Sequence, residues 1–198
     1  MISNFQNKTA IITGASNGIG MEIGKKFLQA GAYVVFADSA KFDLENLISG
    51  VSSDIGSAHS FYGNMQDKLA VKNLIATTLN KFERLDILVN ANRAIIPSNP
   101  LDEKEGALEK SLSQNIIANL NVSQLFAKSV IKQTRNRKNG EIVGSMINLT
   151  SIAANQTIPE MMPYSVSCAA LNQMTRSLAV ALAKEGMRVN AISLGSIM

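Results

Sequence analysis

Cysteine is nearly absent from this chain. Cys168 is the only one in 198 residues, so no intramolecular disulfide can form and no cysteine-based zinc cluster is possible. Charge is sparse too, at 17% against 46% apolar residues, which excludes a disordered chain. The length suits one domain with a well-buried core. There is no N-terminal basic-plus-apolar leader pattern, and no apolar run long enough to span a bilayer. Together with the lack of disulfides, this points to the cytoplasm and to no membrane partner. No internal repeat, low-complexity tract or Pro/Gly linker divides the chain. The net charge of +4 comes partly from Lys132, Arg135, Arg137 and Lys138. Nucleic-acid binding there would call for interleaved aromatic residues for base stacking, and the segment has none. It reads as a solvated loop, and no nucleic-acid partner is expected.

What is present begins with Thr13-Gly14-Ala15-Ser16-Asn17-Gly18-Ile19-Gly20. An apolar run, Thr9-Ala10-Ile11-Ile12, precedes it and reads as a buried parallel strand. Helical apolar spacing from Met21 to Leu28 follows. Strand, glycine-rich turn and helix form the context in which glycines mark a phosphate site. Gly14 permits the turn, while Gly18 and Gly20 let backbone approach a pyrophosphate and let the helix approach the strand. The exposed N–H groups and dipole at the helix start favour an anion. A second strand, Tyr33 to Ala37, ends in Asp38, eighteen positions after Gly20. A carboxylate near that spacing accepts the hydroxyls of an adenosine ribose, although a strand-end acid also caps a following helix.

The rest of the chain alternates. A short helix is expected over 42–48, a weak strand over 57–62 leading to Gly63-Asn64-Met65, and a helix over 68–82. A strand over 85–89 runs into Asn90-Ala91-Asn92-Arg93. A long helix over about 108–132, a strand over 141–149, a helix over about 164–184 and a last strand over 187–192 complete the pattern. Such alternation predicts right-handed βαβ units in a doubly wound parallel α/β sheet of Rossmann type. Six strands in the order 3-2-1-4-5-6 are expected, with ligand at their carboxyl ends.

The sequence resembles the short-chain dehydrogenase/reductase family, especially its 3-oxoacyl-carrier-protein-reductase-like members. TGASNGIG, LDILVN, INLTS, Tyr164 and RVNAIS fall in family order over essentially all 198 residues. The resemblance implies a single NAD(P)-binding domain over 1–198. It implies an oxidoreductase that transfers a hydride between nicotinamide and a carbonyl or secondary alcohol. By the family's pattern the cofactor is held by Gly14, Ser16, Asn17, Gly18, Ile19, Gly20, Asp38, Asn64, Met65, Asn90 and Ala91. Tyr164 matches the acid/base, Ser151 the serine that hydrogen-bonds the substrate oxygen, and Asn115 the asparagine that anchors a water relay. Asp38 would repel a 2′-phosphate and Asn17 supplies no positive charge to offset it, so the cofactor expected is NAD rather than NADP.

Several positions depart from the family. Tyr-x-x-x-Lys is here Tyr164-Ser165-Val166-Ser167-Cys168. A unit charge at roughly 4 Å is worth about 4 kcal/mol at an effective dielectric of 20, or about three pKa units on a tyrosine. Cys168, mostly a neutral thiol near pH 7, does not replace it. It reads as a small apolar helix residue, leaving the phenol near its ordinary value. Arg93 stands where the family has a glycine. It either crowds the nicotinamide half or supplies a displaced positive charge, and crowding is the expectation. The family's Pro-Gly after the sixth strand is Leu194-Gly195, and its usual C-terminal helix and strand do not follow. The alternative is therefore an inactive relative that binds dinucleotide or a protein partner. In similar proteins the two long helices pack against copies of themselves. The second carries Ala169, Ala170, Leu171, Met174, Leu178 and Ala181, and a homodimer through these helices is expected, with a tetramer resting on weaker grounds.

Overall fold

The computed structural model describes residues 5–16, 18–41, 46, 57–101, 106–136, 140–156 and 158–195. The helix expected over 42–48 lies outside the described residues save for Asn46, as do Asn17, Arg137 and Lys138. Six strands, β1 (Thr9–Thr13), β2 (Tyr33–Asp38), β3 (Ala58–Tyr62), β4 (Ile87–Asn90), β5 (Gly144–Ser151) and β6 (Met187–Leu194), form one sheet in the order β3-β2-β1-β4-β5-β6. All five pairings are parallel, with Thr9 opposite Tyr33 and Ala10 opposite Ile87 at its centre. The main helices are α1 (Gly18–Gln29), α2 (Lys68–Phe82), α3 (Ala107–Leu112), α4 (Ala118–Gln133) and α5 (Met162–Leu182).

A strand's side chains alternate between faces, and both faces here are covered. Ile11, Val35, Leu88 and Met146 meet Val71, Leu74, Val122 and Phe126 of α2 and α4 on one side. Ile12, Val34, Phe36 and Val89 meet Met21 and Leu28 of α1 on the other. This is why the strands read as continuous apolar runs. Each large side chain so buried contributes roughly 1.5–3 kcal/mol. β6 forms an edge, and Ile192 on it is half-exposed.

The strand expected over 141–149 runs Gly144–Ser151, and two further differences from expectation have local reasons. The strand expected over 85–89 begins at Ile87. Ahead of it, the Asp86 carboxylate accepts the Thr9 backbone N–H at 2.9 Å and two hydrogen bonds from Arg84, at 2.7 and 2.6 Å. The long helix is not continuous: Ser113–Ile117 forms a π-turn between α3 and α4. Such a turn inserts one residue into the helix, and the insertion carries Asn115.

Candidate functional site

At the carboxyl ends of β1, β2 and β4 lies a cleft of about 550 Å³, within the range of small-molecule and cofactor sites. Gly14, Ser16, Gly18, Ile19, Gly20, Asp38, Asn64, Met65 and Ala91 all line it. Gly14 has φ of 62°, and a Cβ there would lie 2.7 Å from the Asn92 Cα, so the turn needs glycine twice over. A Cβ on Gly20 would collide with the Gly14 carbonyl oxygen. A Cβ on Gly18 would meet nothing within 4 Å, which leaves backbone open to the cleft at the start of α1.

Asp38 is held by two backbone N–H groups. Its Oδ2 accepts the Ser16 backbone N–H at 3.1 Å, and its Oδ1 accepts the Ala40 N–H at 3.1 Å. A carboxylate has about four acceptor sites, so two remain for hydroxyls in the cleft. Asn90 stands apart from the cleft. Its Nδ2 donates to Ser123 Oγ at 3.0 Å and Asn148 Oδ1 at 2.8 Å, and Asn148 Nδ2 donates on to Thr175 Oγ1 at 2.8 Å. Its side chain thus belongs to a buried polar network that ties β4 to α4, β5 and α5. The signal for that network was the asparagines and serines within otherwise apolar segments.

The second centre lies beyond β5. Tyr164 is 3% exposed, at the start of α5, and hydrogen-bonded to Ser151 and Cys168. Ser151 Oγ also accepts the Ala153 N–H at 3.2 Å, capping the short 3₁₀ turn Ile152–Ala154. Asn115 is buried rather than superficial. Its Oδ1 accepts the Ala94 N–H at 2.7 Å, and its Nδ2 donates to the Ala94 carbonyl and to Ser167 Oγ, both at 2.9 Å. Beside Asn115, Ser167, Tyr164 and Cys168 sits a cavity of about 10 Å³, near the size at which one water fits.

Electrostatics corrects the expectation for the phenol. Burial raises the Tyr164 pKa above its ordinary value. The neighbouring Cys168 thiol adds to the rise, while the Ser151 hydrogen bond and the Arg93 charge oppose it without prevailing. Burial likewise raises the Cys168 thiol, against hydrogen bonds from Tyr164, Thr150, the Ser151 backbone and Ser167. Cys168 is 4% exposed and packs with Tyr164 and Ala153.

The structure does not bring the two centres into one open cavity. Asn92, Arg93 and Leu149 line both the cleft and the small cavity, which therefore adjoin. Arg93 therefore adjoins both the cleft and the phenol's cavity, and its charge reaches Tyr164.

The model of the family described as short chain dehydrogenase matches residues 8–198. An oxidoreductase of Thermotoga maritima is 34% identical over 193 residues, covering 98% of this chain and 73% of its own length. The 3-oxoacyl-[acyl-carrier-protein] reductase FabG of the same organism is 30% identical, covering 97% of this chain and 75% of its own. Among solved structures, a short-chain dehydrogenase/reductase from Caenorhabditis elegans with cofactor superposes with a TM-score of 0.85 at 31% identity. That match covers 96% of this chain and 70% of the other.

Proposed function

The chain belongs to the short-chain dehydrogenase family, and we propose that it transfers a hydride between NAD(H) and the carbonyl or secondary-alcohol carbon of a small molecule, 3-oxoacyl compounds foremost. The observation that carries this is the glycine-turn cleft with Asp38 on its wall, next to the buried Tyr164 and its half-buried partner Ser151. The cradle suits a dinucleotide: Cβ atoms on Gly14 and Gly20 would collide with backbone, and backbone at Gly18 is open to the cleft. Asp38 would hold the adenosine ribose, and the N–H groups opening α1 the pyrophosphate. The nicotinamide, when bound, supplies or accepts the hydride. Tyr164 gives its phenolic proton to the carbonyl oxygen in reduction or takes the alcohol proton in oxidation. Ser151 orients that oxygen by a hydrogen bond. Because the phenol's pKa is raised, it stays protonated near neutral pH, the form that reduction requires, whereas oxidation requires the phenolate. The homodimer expected from the sequence would form through α4 and α5.

A second reading, a relative that binds dinucleotide without turning over substrate, is favoured by one observation. Neither Tyr164 nor Ser151 lines the cleft, and Tyr164 faces only the small cavity beside it. Calorimetric titration with NADH, followed by assay against a panel of 3-oxoacyl thioesters and cyclic ketones, separates the two. Binding with turnover supports the first reading and binding alone the second. No binding overturns both.

A further inference from the structure

Arg93 is the residue whose chemistry the family pattern leaves unassigned. It lines both the large cleft and the small cavity that touches Tyr164 and Cys168. Its backbone is held in place by the next residue, Ala94, which exchanges two hydrogen bonds with the Asn115 side chain. Asn115 in turn grips α5 through Ser167. The guanidinium itself is uncommitted. Arg93 is exposed, and no carboxylate among the described residues forms an ion pair with it. An arginine stays charged at any pH the fold survives. Arg93 follows β4 while Asp38 ends β2, and β1 lies between them, so the two positions are two strands apart, roughly 10 Å. Arg93 also lines the small cavity with Tyr164, which Asp38 does not.

From this placement we infer that Arg93 is the working cation of the site: reaching from the loop after β4, it stabilises the ionised form of the Tyr164 phenol. The inference rests on the reading of Tyr164 as the proton carrier. The groups that bear on the phenol are Cys168 from its own helix, the Ser151 hydroxyl from β5 and Arg93 from the loop. Of these only Arg93 carries a permanent charge. Position 168, one helical turn after the phenol, holds a neutral buried thiol. Arg93 works against the effect of burial, in the direction a cation must. It acts from solvent-exposed ground, so its influence is screened and weaker than that of a buried charge.

The test is a direct titration of the phenol. The chain has three tyrosines, so ¹³C-tyrosine NMR with Tyr164→Phe as reference isolates the signal of Tyr164. At a fixed pH of about 10, Arg93→Gln is expected to lower the Tyr164 phenolate fraction about three-fold, as loss of a screened charge a few ångströms away would do. Arg93→Lys restores it. Raising salt to about 0.5 M lowers the fraction in the wild type and leaves Arg93→Gln unmoved. An unchanged phenolate fraction in a folded Arg93→Gln overturns the inference. Should that variant fail to fold, a wild-type phenol indifferent to salt overturns it equally. The titration needs neither substrate nor cofactor. Its failure therefore leaves the proposed function standing, whereas an Arg93-dependent titration without turnover on any carbonyl counts against that function alone.

Discussion

The Ser16 backbone N–H donates to Asp38 Oδ2 at 3.1 Å, tying the glycine turn to the end of β2. The carboxylate that would meet the ribose is thereby positioned by the loop that would meet the pyrophosphate. Preference for NAD(H) over NADP(H) follows, because a 2′-phosphate would meet a fixed negative charge. Calorimetry with both nucleotides is expected to show tighter NAD(H) binding. Asp38→Ala should weaken NAD(H) about 10-fold, as loss of charge-assisted hydrogen bonds does, and narrow the gap. Tighter NADP(H) binding by the wild type would refute this.

The raised pKa of Tyr164 sets the pH dependence. The phenol is protonated throughout the neutral range, so reduction should be nearly flat from about pH 6 to 9 and fall only as the phenol ionises. Oxidation, which needs phenolate, should climb with pH over the same range. Tyr164→Phe should cost about 10²–10⁴-fold in either direction. Initial rates measured both ways across pH check the signs, and an oxidation rate independent of pH would count against the role of Tyr164.

Asp86 makes a prediction about stability. It is 6% exposed and accepts the Thr9 N–H, two hydrogen bonds from Arg84 and one from Lys8. Burial works to raise its pKa, but the Arg84 hydrogen bonds, the Thr9 N–H and the two cations prevail, and the carboxyl ionises below its ordinary value. Its contribution is therefore present above the unfolded value of about 4 and is lost as pH falls through the lower folded value. Asp86→Asn should cost about 2 kcal/mol near neutral pH and progressively less in acid. Thermal unfolding of both proteins across that range reads the convergence.

Much of the sheet was legible because strands buried on both faces must be continuously apolar. The runs around Ile11, Val35 and Leu88 have no other reading, and the glycine turn pins β1 to α1. The π-turn at Ser113–Ile117 was not legible, because one inserted residue barely disturbs the apolar spacing on either side. Asn90 shows the same limit within the site. Its place in the family motif suggested the cofactor, while Asn148, Ser123 and Thr175 engage its side chain from distant segments. The place of Arg93 on the linings of both the cleft and the small cavity depends on the loop path after β4, which no periodicity encodes.

The expected self-association can be sharpened by burial. Leu171 of α5 is 3% exposed and belongs to the core of its own chain, and Leu178 packs there in part, so neither is free for a partner. Ala169 and Ala181 remain exposed, as do Val166 at 41% and Val180 at 80%. A dimer through this face predicts that Val180→Glu yields monomer in light scattering at micromolar concentration with the melting transition little changed. A wild-type monomer under the same conditions would dispose of the dimer.

The last prediction concerns restoring a lysine after Tyr164. Cys168 is buried beside a cavity of only about 10 Å³, too small for the longer side chain. Overfilling a packed site typically costs 1–3 kcal/mol. Cys168→Lys alone should therefore fold less stably and gain little. Arg93→Gly opens space where the cleft and the small cavity adjoin but also removes the exposed cation, and alone it should lower activity. Combined, the lysine gains space toward the cleft and supplies the charge that Arg93 no longer does. The double variant should bind NADH more tightly and turn over faster than either single variant, with its oxidation profile moved toward lower pH. The interaction should be strongly non-additive, because the two side chains compete for one space and one electrostatic role. Steady-state kinetics against pH for the four proteins would show it. A double variant no better than its parents in both binding and rate would mean that the site is limited elsewhere than at positions 93 and 168.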